Sequence, residues 1–149
     1  MRILAENKRA FFDFEIIEKF EAGIVLQGQE VKSIKTRGVN LAGSYVDIKN
    51  GEAFWVGASI APYQPKNVPD QYYPKRPRKL LLKKKELKYL IGKSKEKGLT
   101  LVPLRLYTNN GKIKLEFGVG KRKKKINKKE IIKKREIEKE IARELREKF

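Results

Sequence analysis

Residues 99–119 read LTLVPLRLYTNNGKIKLEFGV, and this stretch decides the fold class. Leu104 and Leu106 alternate with Arg and Tyr, and the apolar residues of the second half alternate with Lys and Glu. Such a period of two is typical of a strand with one buried face. The Asn-Asn-Gly between the two halves predicts a tight hairpin turn. We therefore expect two antiparallel, half-buried strands here.

A second hairpin is predicted upstream. Residues 44–48 and 53–57 are rich in β-branched and aromatic side chains, and an Asn-Gly pair lies between them. Asn-Gly is the strongest short hairpin signal, because both residues accept the positive φ of a type I′ turn. Residues 62–77 contain five prolines and few aliphatic side chains, so we expect an irregular loop there.

The segment before these hairpins is also predicted as β structure. Over residues 10–20, aromatic and aliphatic residues from Phe12 to Ile16 alternate with acidic ones. This alternation predicts a half-buried strand. Glu21-Ala22-Gly23 then predicts a turn, and residues 24–26 predict a short return strand.

Two short helices complete the body. Residues 29–37 carry apolar side chains three positions apart among charged ones, and Gly38 is placed as a helix stop. Residues 83–98 carry apolar side chains at i, i+3 and i+4 with a basic outer face, and Gly98 is expected to cap the helix.

About six short strands joined by hairpins, with helices at two corners, favour a small closed antiparallel β-barrel, since closure removes exposed edges. An open sandwich of short strands is the alternative. We expect residues 1–118 to form this single mainly β domain, because the length suits one core and not two. Residues 119–149 form a basic tail that can bury very little.

Charge points to a polyanionic partner. The chain has 37 Lys and Arg against 18 Asp and Glu, a formal charge of +19. Residues 119–149 hold 14 basic and 6 acidic side chains, or +8, and residues 1–118 hold 23 and 12, or +11. A field of this size attracts nucleic acid and makes binding salt-dependent.

The tail alternates between basic blocks and an apolar stripe. Its clustered Lys side chains repel one another, so we expect disorder in the free protein. A helix would form once a polyanion neutralises these charges, and four apolar residues recur at every fourth position along it: Ile137, Ile141, Leu145 and Phe149. The alternative is a solvated tail that only aids solubility.

Absent residue types exclude several function classes. There is no Cys and no His, which removes disulfides, thiolate metal sites and the commonest general base. We expect a cytoplasmic protein without a cofactor. No apolar run approaches the roughly 18 residues of a membrane span, so no membrane partner is expected.

Short strings spread along the chain resemble the bacterial SsrA-binding protein family, also called small protein B. They occur in the family's order, without a large gap from about Asn7 to Arg135. The matching strings are Asn7–Ala10, Phe20–Ile24, Glu30–Ser33, Asn40–Leu41, Ser44–Tyr45, Arg78–Leu82 and Lys97–Leu104.

This resemblance implies an oligonucleotide-binding (OB) type barrel that binds the tRNA-like domain of transfer-messenger RNA. It implies delivery to stalled ribosomes for trans-translation, beside elongation factor Tu, by a protein expected to be a monomer without enzymatic activity. The body would occupy the decoding site in place of an anticodon arm. The tail would enter the vacant message channel and become helical.

The resemblance also implies RNA-binding residues. The family's Asn, Glu and Leu correspond to Asn7, Glu21 and Leu81. Asn7 could instead be a cap, Glu21 could orient a neighbouring Lys, and Leu81 is by default a core residue. Neighbouring cations are expected to neutralise RNA phosphates: Lys8, Arg9, Arg78, Lys79, Lys83 and Lys84.

The tail residues implied for the ribosome depart from the family pattern at one position. Ile126 stands where an aromatic residue or His is usual, and Ile cannot stack on a base. Arg122 replaces the Gly of the usual Gly-Lys-Lys. The implied tail contacts are Lys123, Lys124, Ile126, Asn127, Lys128, Lys129, Lys133, Lys134 and Arg135.

Two other function classes are compatible with parts of the sequence. A generic single-strand binder would stack bases on exposed aromatics, for which Tyr63, Tyr72, Tyr73 and Tyr107 are the candidates. A metal-dependent nuclease would need clustered carboxylates, and the acidic residues of the body are scattered.

Overall fold

The computed structural model describes residues 1–64, 72–123 and 125–148, and side chains outside 125–134 and 147–148. Four helices and seven strands follow one another along these residues. In chain order they are β1 (Arg2–Glu6), α1 (Lys8–Asp13), β2 (Phe14–Ile24), α2 (Gly28–Arg37), β3 (Tyr45–Lys49), β4 (Glu52–Val56), β5 (Arg78–Leu81), α3 (Lys84–Ser94), β6 (Leu99–Asn109), β7 (Lys112–Arg122) and α4 (Lys125–Lys148).

The strands form one antiparallel sheet with the order β1-β6-β7-β2-β5-β4-β3. This confirms the mainly β prediction, but the strand pairing does not close the predicted barrel. β3 approaches β6 to within 8 Å between Cα atoms, so the sheet curls back on itself. β1 pairs with the free edge of β6 along Arg105–Thr108, which occupies part of the edge that closure would need.

The core lies on the inner face of the curled sheet. Trp55 on β4, Leu106 on β6 and Leu115 and Phe117 on β7 are fully buried. Ile34 of α2 and Leu90 of α3 belong to the same cluster, so both helices cover this side of the sheet. The alternating apolar residues of the long hairpin are therefore the centre of the fold.

Both predicted hairpins are confirmed, and their turns explain the Asn-Gly signal. Asn50 and Gly51 have φ angles of 53° and 74°, and Asn110 and Gly111 have 51° and 76°. Two successive residues in the left-handed region give the turn whose twist matches paired strands. Asn tolerates this conformation better than other residues with a side chain.

The prediction for residues 10–26 was wrong in two places. Phe12 lies in α1, which begins after Asn7, whose side chain accepts a hydrogen bond from Ala10 N. Residues 21–23 are not a turn, and no return strand follows. β2 runs through them to Ile24, because β7 supplies paired backbone partners as far as Gly23.

The two helices after β2 are confirmed, with one boundary changed. α2 ends at Arg37 and is capped by Gly38, which has φ of 77°. α3 ends at Ser94 and is capped by Lys95, so Gly98 is not its cap.

Strand β5 was not predicted. Arg78 and Leu80 are buried in it while Lys79 and Leu81 are exposed, and the sequence Arg-Lys-Leu-Leu shows no matching alternation of polar and apolar residues. Of the predicted loop, 65–71 lie outside the described residues, and 62–64 and 72–77 contain no strand or helix.

A smaller apolar cluster lies between α1 and the sheet. Ala10 packs there with Val102 and Leu104 of β6. Gly118 leaves room for Ile16 of β2, which packs against this cluster, since a Cβ at that position would lie 2.8 Å from Ile16 Cγ2 and 2.9 Å from the Glu18 carbonyl oxygen. Because Val102 pairs with Gly118 and the core residues Leu101 and Val119 pair beside them, α1 lies on the face of the sheet opposite to the main core.

β7 continues to Arg122, past the predicted domain boundary at residue 118. α4 then covers most of the predicted tail, and the described side chains from 135 to 146 are all exposed. The disorder of this segment in the free protein stays a prediction. Among the described residues, no helix is both long enough and apolar enough to cross a membrane.

Candidate nucleic-acid interface

Two adjacent rows of side chains cross the face of the sheet that points away from the main core. Directly paired residues on neighbouring strands point to the same side, so the strand register defines this surface. We call it the outer face. One row consists of Glu21, Glu116, Arg105 and Glu6, and the other of Leu81, Gly23, Lys114, Tyr107 and Ile3.

Leu81 lies at one end of the second row and is 56% exposed, so the default alternative of a core residue is wrong. It stands beside Gly23, where an added Cβ would lie 3.5 Å from Leu81 Cβ and 3.6 Å from Lys114 Nζ. A cleft of about 330 Å³ opens there, lined by Leu81, Gly23, Lys112 and Lys114 together with apolar residues. An apolar wall beside two ammonium groups suits an unstacked base and its phosphates.

Glu21 is exposed on the first row, and the Tyr107 hydroxyl donates a hydrogen bond to its Oε2 atom. No ion pair or other hydrogen bond to Glu21 occurs within the described part of the chain, so it does not orient a lysine there. Glu116 faces it directly across the strands. A carboxylate pair repels phosphate and accepts from base amino groups or 2′-hydroxyls.

Burial raises the pKa of the Tyr107 hydroxyl well above its ordinary value, and the hydrogen bond to Glu21 raises it further. Tyr107 is only 4% exposed although its hydroxyl reaches an exposed carboxylate. The hydroxyl therefore stays protonated at any physiological pH, and it remains a donor to Glu21.

The predicted cations Lys79, Lys83 and Lys84 are exposed. Lys79 lies two positions from Leu81 on the same side of β5, and its Nζ is 3.3 Å from Glu52 Oε1. Lys83 precedes α3 as its N-cap, and Lys84 is the first residue of that helix. All three therefore lie within three positions of Leu81 along the chain.

Asn7, Lys8 and Arg9 form a separate group at α1. Asn7 is buried, and its amide donates to the Pro103 carbonyl oxygen at 2.9 Å while its oxygen caps the helix. The cap role considered for this residue is thus present. Lys8 is exposed. Asn7 and Arg9 line a cleft of about 340 Å³ with Tyr45, distinct from the one at Leu81.

The structure corrects the prediction that Arg78 neutralises RNA phosphate. Its side chain is fully buried, Nε donates to Glu30 Oε2 at 2.9 Å, and Nη1 donates to the Ala58 carbonyl oxygen at 2.9 Å. Arg76 binds the other oxygen of Glu30. A guanidinium held in this way has no surface to offer to a ligand.

Burial alone would raise the pKa of Glu30, but hydrogen bonds from Gln27 N, Arg78 and Arg76 outweigh it, and the pKa is lowered. Glu30 therefore stays ionised between its two arginines. Since α2 carries Glu30 and β5 begins at Arg78, this buried pair fixes β5 against α2 and sets the position of Lys79 and Leu81.

The aromatic residues predicted to be free are mostly engaged. Tyr107 is buried, Tyr72 donates to the Ile60 carbonyl oxygen at 2.7 Å, and the Tyr63 ring lies 5.8 Å from Lys32 Nζ. Only Tyr73, at 60%, is well exposed among the four. Tyr45 on β3 and Tyr89 on α3 are also exposed, at 45% and 41%, but the three exposed tyrosines of the described residues lie on separate segments and not along one strand.

The tail begins at a fixed point. Lys123 N donates to the Asp13 carbonyl oxygen at 2.9 Å, and Lys123 Nζ donates to the Phe11 carbonyl oxygen at 3.1 Å, so α1 holds the end of β7. Arg135 is exposed on α4. Lys124 lies outside the described residues, and only the backbone of α4 is described at Ile126, Asn127, Lys128, Lys129, Lys133 and Lys134.

Part of the apolar stripe can be followed on α4. Ile137, Ile141 and Leu145 are 51%, 52% and 54% exposed, whereas Phe149 lies outside the described residues. Half-exposed apolar side chains at every fourth position leave one side of the helix uncovered by the described part of the chain.

Sequence reasoning considered Tyr107 only as an exposed aromatic for base stacking and not as a partner of Glu21, and it did not single out Lys112 or Lys114. The pairing of β6 with β7 and of β7 with β2 brings these three residues close to Glu21 and Leu81. The alternation in the sequence predicts only that their side chains point away from the core, because strand pairing is not visible in it. Within the described ranges, no group of three or more acidic side chains is gathered as a metal site.

The fold and this surface define a small, strongly basic protein of antiparallel β structure with an exposed polar sheet face and a basic C-terminal helix. Comparison with known proteins is more specific. The chain belongs to the SmpB protein family, whose model matches residues 4–147. This confirms the resemblance seen in the sequence.

Curated relatives match over nearly their whole length. The SsrA-binding protein of Persephonella marina is 47% identical over all of this chain and 97% of its own. That of Thermosipho melanesiensis is 48% identical, covering 98% of this chain and 99% of its own. A solved structure of tmRNA-SmpB in the bacterial ribosome contains a chain 46% identical, with a TM-score of 0.66, covering 81% of this chain and 85% of that one.

Proposed function

We propose that this protein binds the tRNA-like domain of transfer-messenger RNA and delivers it to stalled ribosomes for trans-translation. The observation that carries the proposal is the outer face, where an acidic acceptor pair, an exposed Leu81 and flanking lysines meet on one surface. Charge alone would suit any nucleic acid, but these groups suit a folded RNA with an unstacked base. The SsrA-binding relatives and the tmRNA-SmpB structure support the same partner.

The curled sheet supports an OB-type architecture for the body. On the ribosome, the body would stand in the decoding site in place of an anticodon arm. The tail would then occupy the message channel. Its exposed cations neutralise ribosomal RNA phosphates, and its half-exposed apolar stripe gains a surface there. The contact residues of the tail, from Lys123 to Arg135, belong to this proposal.

The same proposal includes a monomeric protein acting in the cytoplasm, with elongation factor Tu as a further partner. The protein's role is recognition and delivery, so it includes no catalytic step and no cofactor. Asn7, Lys8 and Arg9 would contact RNA at α1, apart from the contacts made by the outer face.

Separating the tail from the body tests this division of roles. Because α1 holds Lys123, the truncation should remove residues 125–149 and leave β7 intact. We expect the truncated protein to bind the tRNA-like domain of transfer-messenger RNA with little loss. It should fail to support peptide tagging in a reconstituted translation reaction on a message without a stop codon.

A charge-neutral variant sharpens the test. Pro at both Ile137 and Ile141 costs about 3 kcal/mol per residue in a helix interior, and it should abolish tagging without changing charge. The matched control replaces both with Ala, which keeps the helix but removes the apolar stripe. Full tagging by the double-Pro protein would show that the tail is only an electrostatic tether.

A further inference from the structure

Tyr107 has an unusual combination of burial and partner. Its ring is almost fully enclosed on the outer face, yet its hydroxyl donates to Oε2 of the exposed Glu21 across the intervening strand β7. On β7, Lys114 pairs with Tyr107 and Glu116 pairs with Glu21, so this hydrogen bond joins the two rows of the outer face. The Glu21 side chain is therefore tied to a rigid point in the sheet.

We propose that Tyr107 is a positioning residue for RNA recognition: it holds the Glu21 carboxylate by Oε2 and leaves Oε1 as a preoriented acceptor. This rests on the proposed function of Glu21. An exposed Glu ordinarily samples several rotamers, and ordering such a side chain on binding costs free energy. The hydrogen bond from Tyr107 removes that cost before the RNA arrives.

The neighbouring charges strengthen the need for such a device. Glu116 faces Glu21 directly, and no cation holds Glu21 in the described structure. Repulsion between the two carboxylates would otherwise favour rotamers that separate them. Arg105, which pairs with Glu116, instead has its Nε 3.7 Å from Glu6.

A double-mutant cycle tests the inference. The variants are Tyr107→Phe, Glu21→Ala and their combination, and the probe is the isolated tRNA-like domain of transfer-messenger RNA. Tyr107→Phe should weaken binding roughly two- to tenfold, the cost of ordering one side chain. In the Glu21→Ala background, Tyr107→Phe should produce no further loss, because the two act through one contact.

Tyr89→Phe is the matched control, since the Tyr89 hydroxyl also donates to a glutamate, Glu18, away from the rows of the outer face. It should leave RNA affinity unchanged. Titration of tyrosine absorbance supplies a second readout. Glu21→Ala should lower the high pKa of Tyr107, which remains raised by burial.

The outcomes separate the inference from the function on which it rests. If Tyr107→Phe weakens binding equally with and without Glu21, or leaves the affinity unchanged while Glu21→Ala reduces it, positioning is wrong and the function stands. If the unmodified protein does not prefer this RNA to a random RNA of equal length, the proposed function fails. Thermal melts of each variant identify a loss that arises from unfolding.

Discussion

Two glutamates in this chain show how the same side chain serves opposite purposes in two regions. Glu30 is fully buried, and two arginines and a backbone amide bind its oxygens. Glu21 is exposed, its one described partner is a neutral tyrosine, and another carboxylate faces it. The negative charge of Glu30 is neutralised inside the protein, whereas Glu21 remains a negatively charged hydrogen-bond acceptor on the surface of a protein with a formal charge of +19.

This difference indicates where stability and recognition reside. A buried pair with satisfied hydrogen bonds holds elements in place and offers nothing to a ligand. An exposed carboxylate without a cation contributes little to folding, so its value lies in what it can bind. Because β5 joins the two regions, with Arg78 at one end and Leu81 at the other, the buried pair supports the surface indirectly.

The largest expected effect is the loss of the buried region. Glu30→Ala leaves the buried Arg78 without a counter-charge, which should lower the free energy of unfolding by about 3–5 kcal/mol. Urea unfolding at neutral pH measures it. Glu52→Ala, which removes the exposed partner of Lys79, is the control and should cost about 0–1 kcal/mol. Equal costs for the two variants would remove the contrast between buried and exposed carboxylates.

Acid should weaken the same region. The folded pKa of Glu30 lies below the ordinary value of 4.5, so the folded state binds fewer protons than the unfolded state at low pH. Its stabilisation is complete above pH 4.5 and is lost as the pH falls from there through the folded pKa. The urea unfolding midpoint should be measured at one pH above this window and at one below it. Between these two pH values it should fall less for Glu30→Gln than for the unmodified protein. An identical pH dependence in both proteins would contradict the ionised pair.

A smaller, separable effect is expected at Leu81. Leu81→Ala should lower the affinity for the tRNA-like domain by about 1–2 kcal/mol, and the free energy of unfolding should fall by less than about 1.5 kcal/mol because the side chain is half exposed. Ile17→Ala, with 53% exposure elsewhere on β2, is the control. A large drop in melting temperature for Leu81→Ala would show that Leu81 is a core residue and would contradict this prediction.

Much of the fold could be predicted from the sequence wherever a pattern is local. The two hairpins carry their own turn signal in Asn-Gly, and the long hairpin shows its buried face by alternation. α2 was predicted for the same reason, since its spacing and its Gly38 stop lie within one segment. Sheet closure depends on edges far apart in sequence, and here β1 takes part of the edge that a barrel would use.

The candidate site was predictable in residue type and not in accessibility. Arg78 and Lys79 are adjacent cations, yet Arg78 is buried because it donates a hydrogen bond to Glu30, which lies 48 positions earlier in the sequence. Leu80 and Leu81 are identical residues, and only the pleat of β5 decides that Leu81 faces outward. Phe12 shares the parity of Ile16 but lies in α1, because the Asn7 cap fixes a helix that the alternation conceals.

The central claim is that the outer face recognises one RNA through Glu21 while the buried pair only holds the fold. The most direct test measures the affinity of Glu21→Ala for the tRNA-like domain across a salt series. Glu18→Ala is the control, because Glu18 also accepts from a tyrosine. We expect Glu21→Ala to lose about 1–3 kcal/mol at every salt concentration. If six phosphates are contacted, both variants should keep a log–log salt slope of roughly −4 to −5. An unchanged affinity for Glu21→Ala, or an equal loss for Glu18→Ala, would contradict the account.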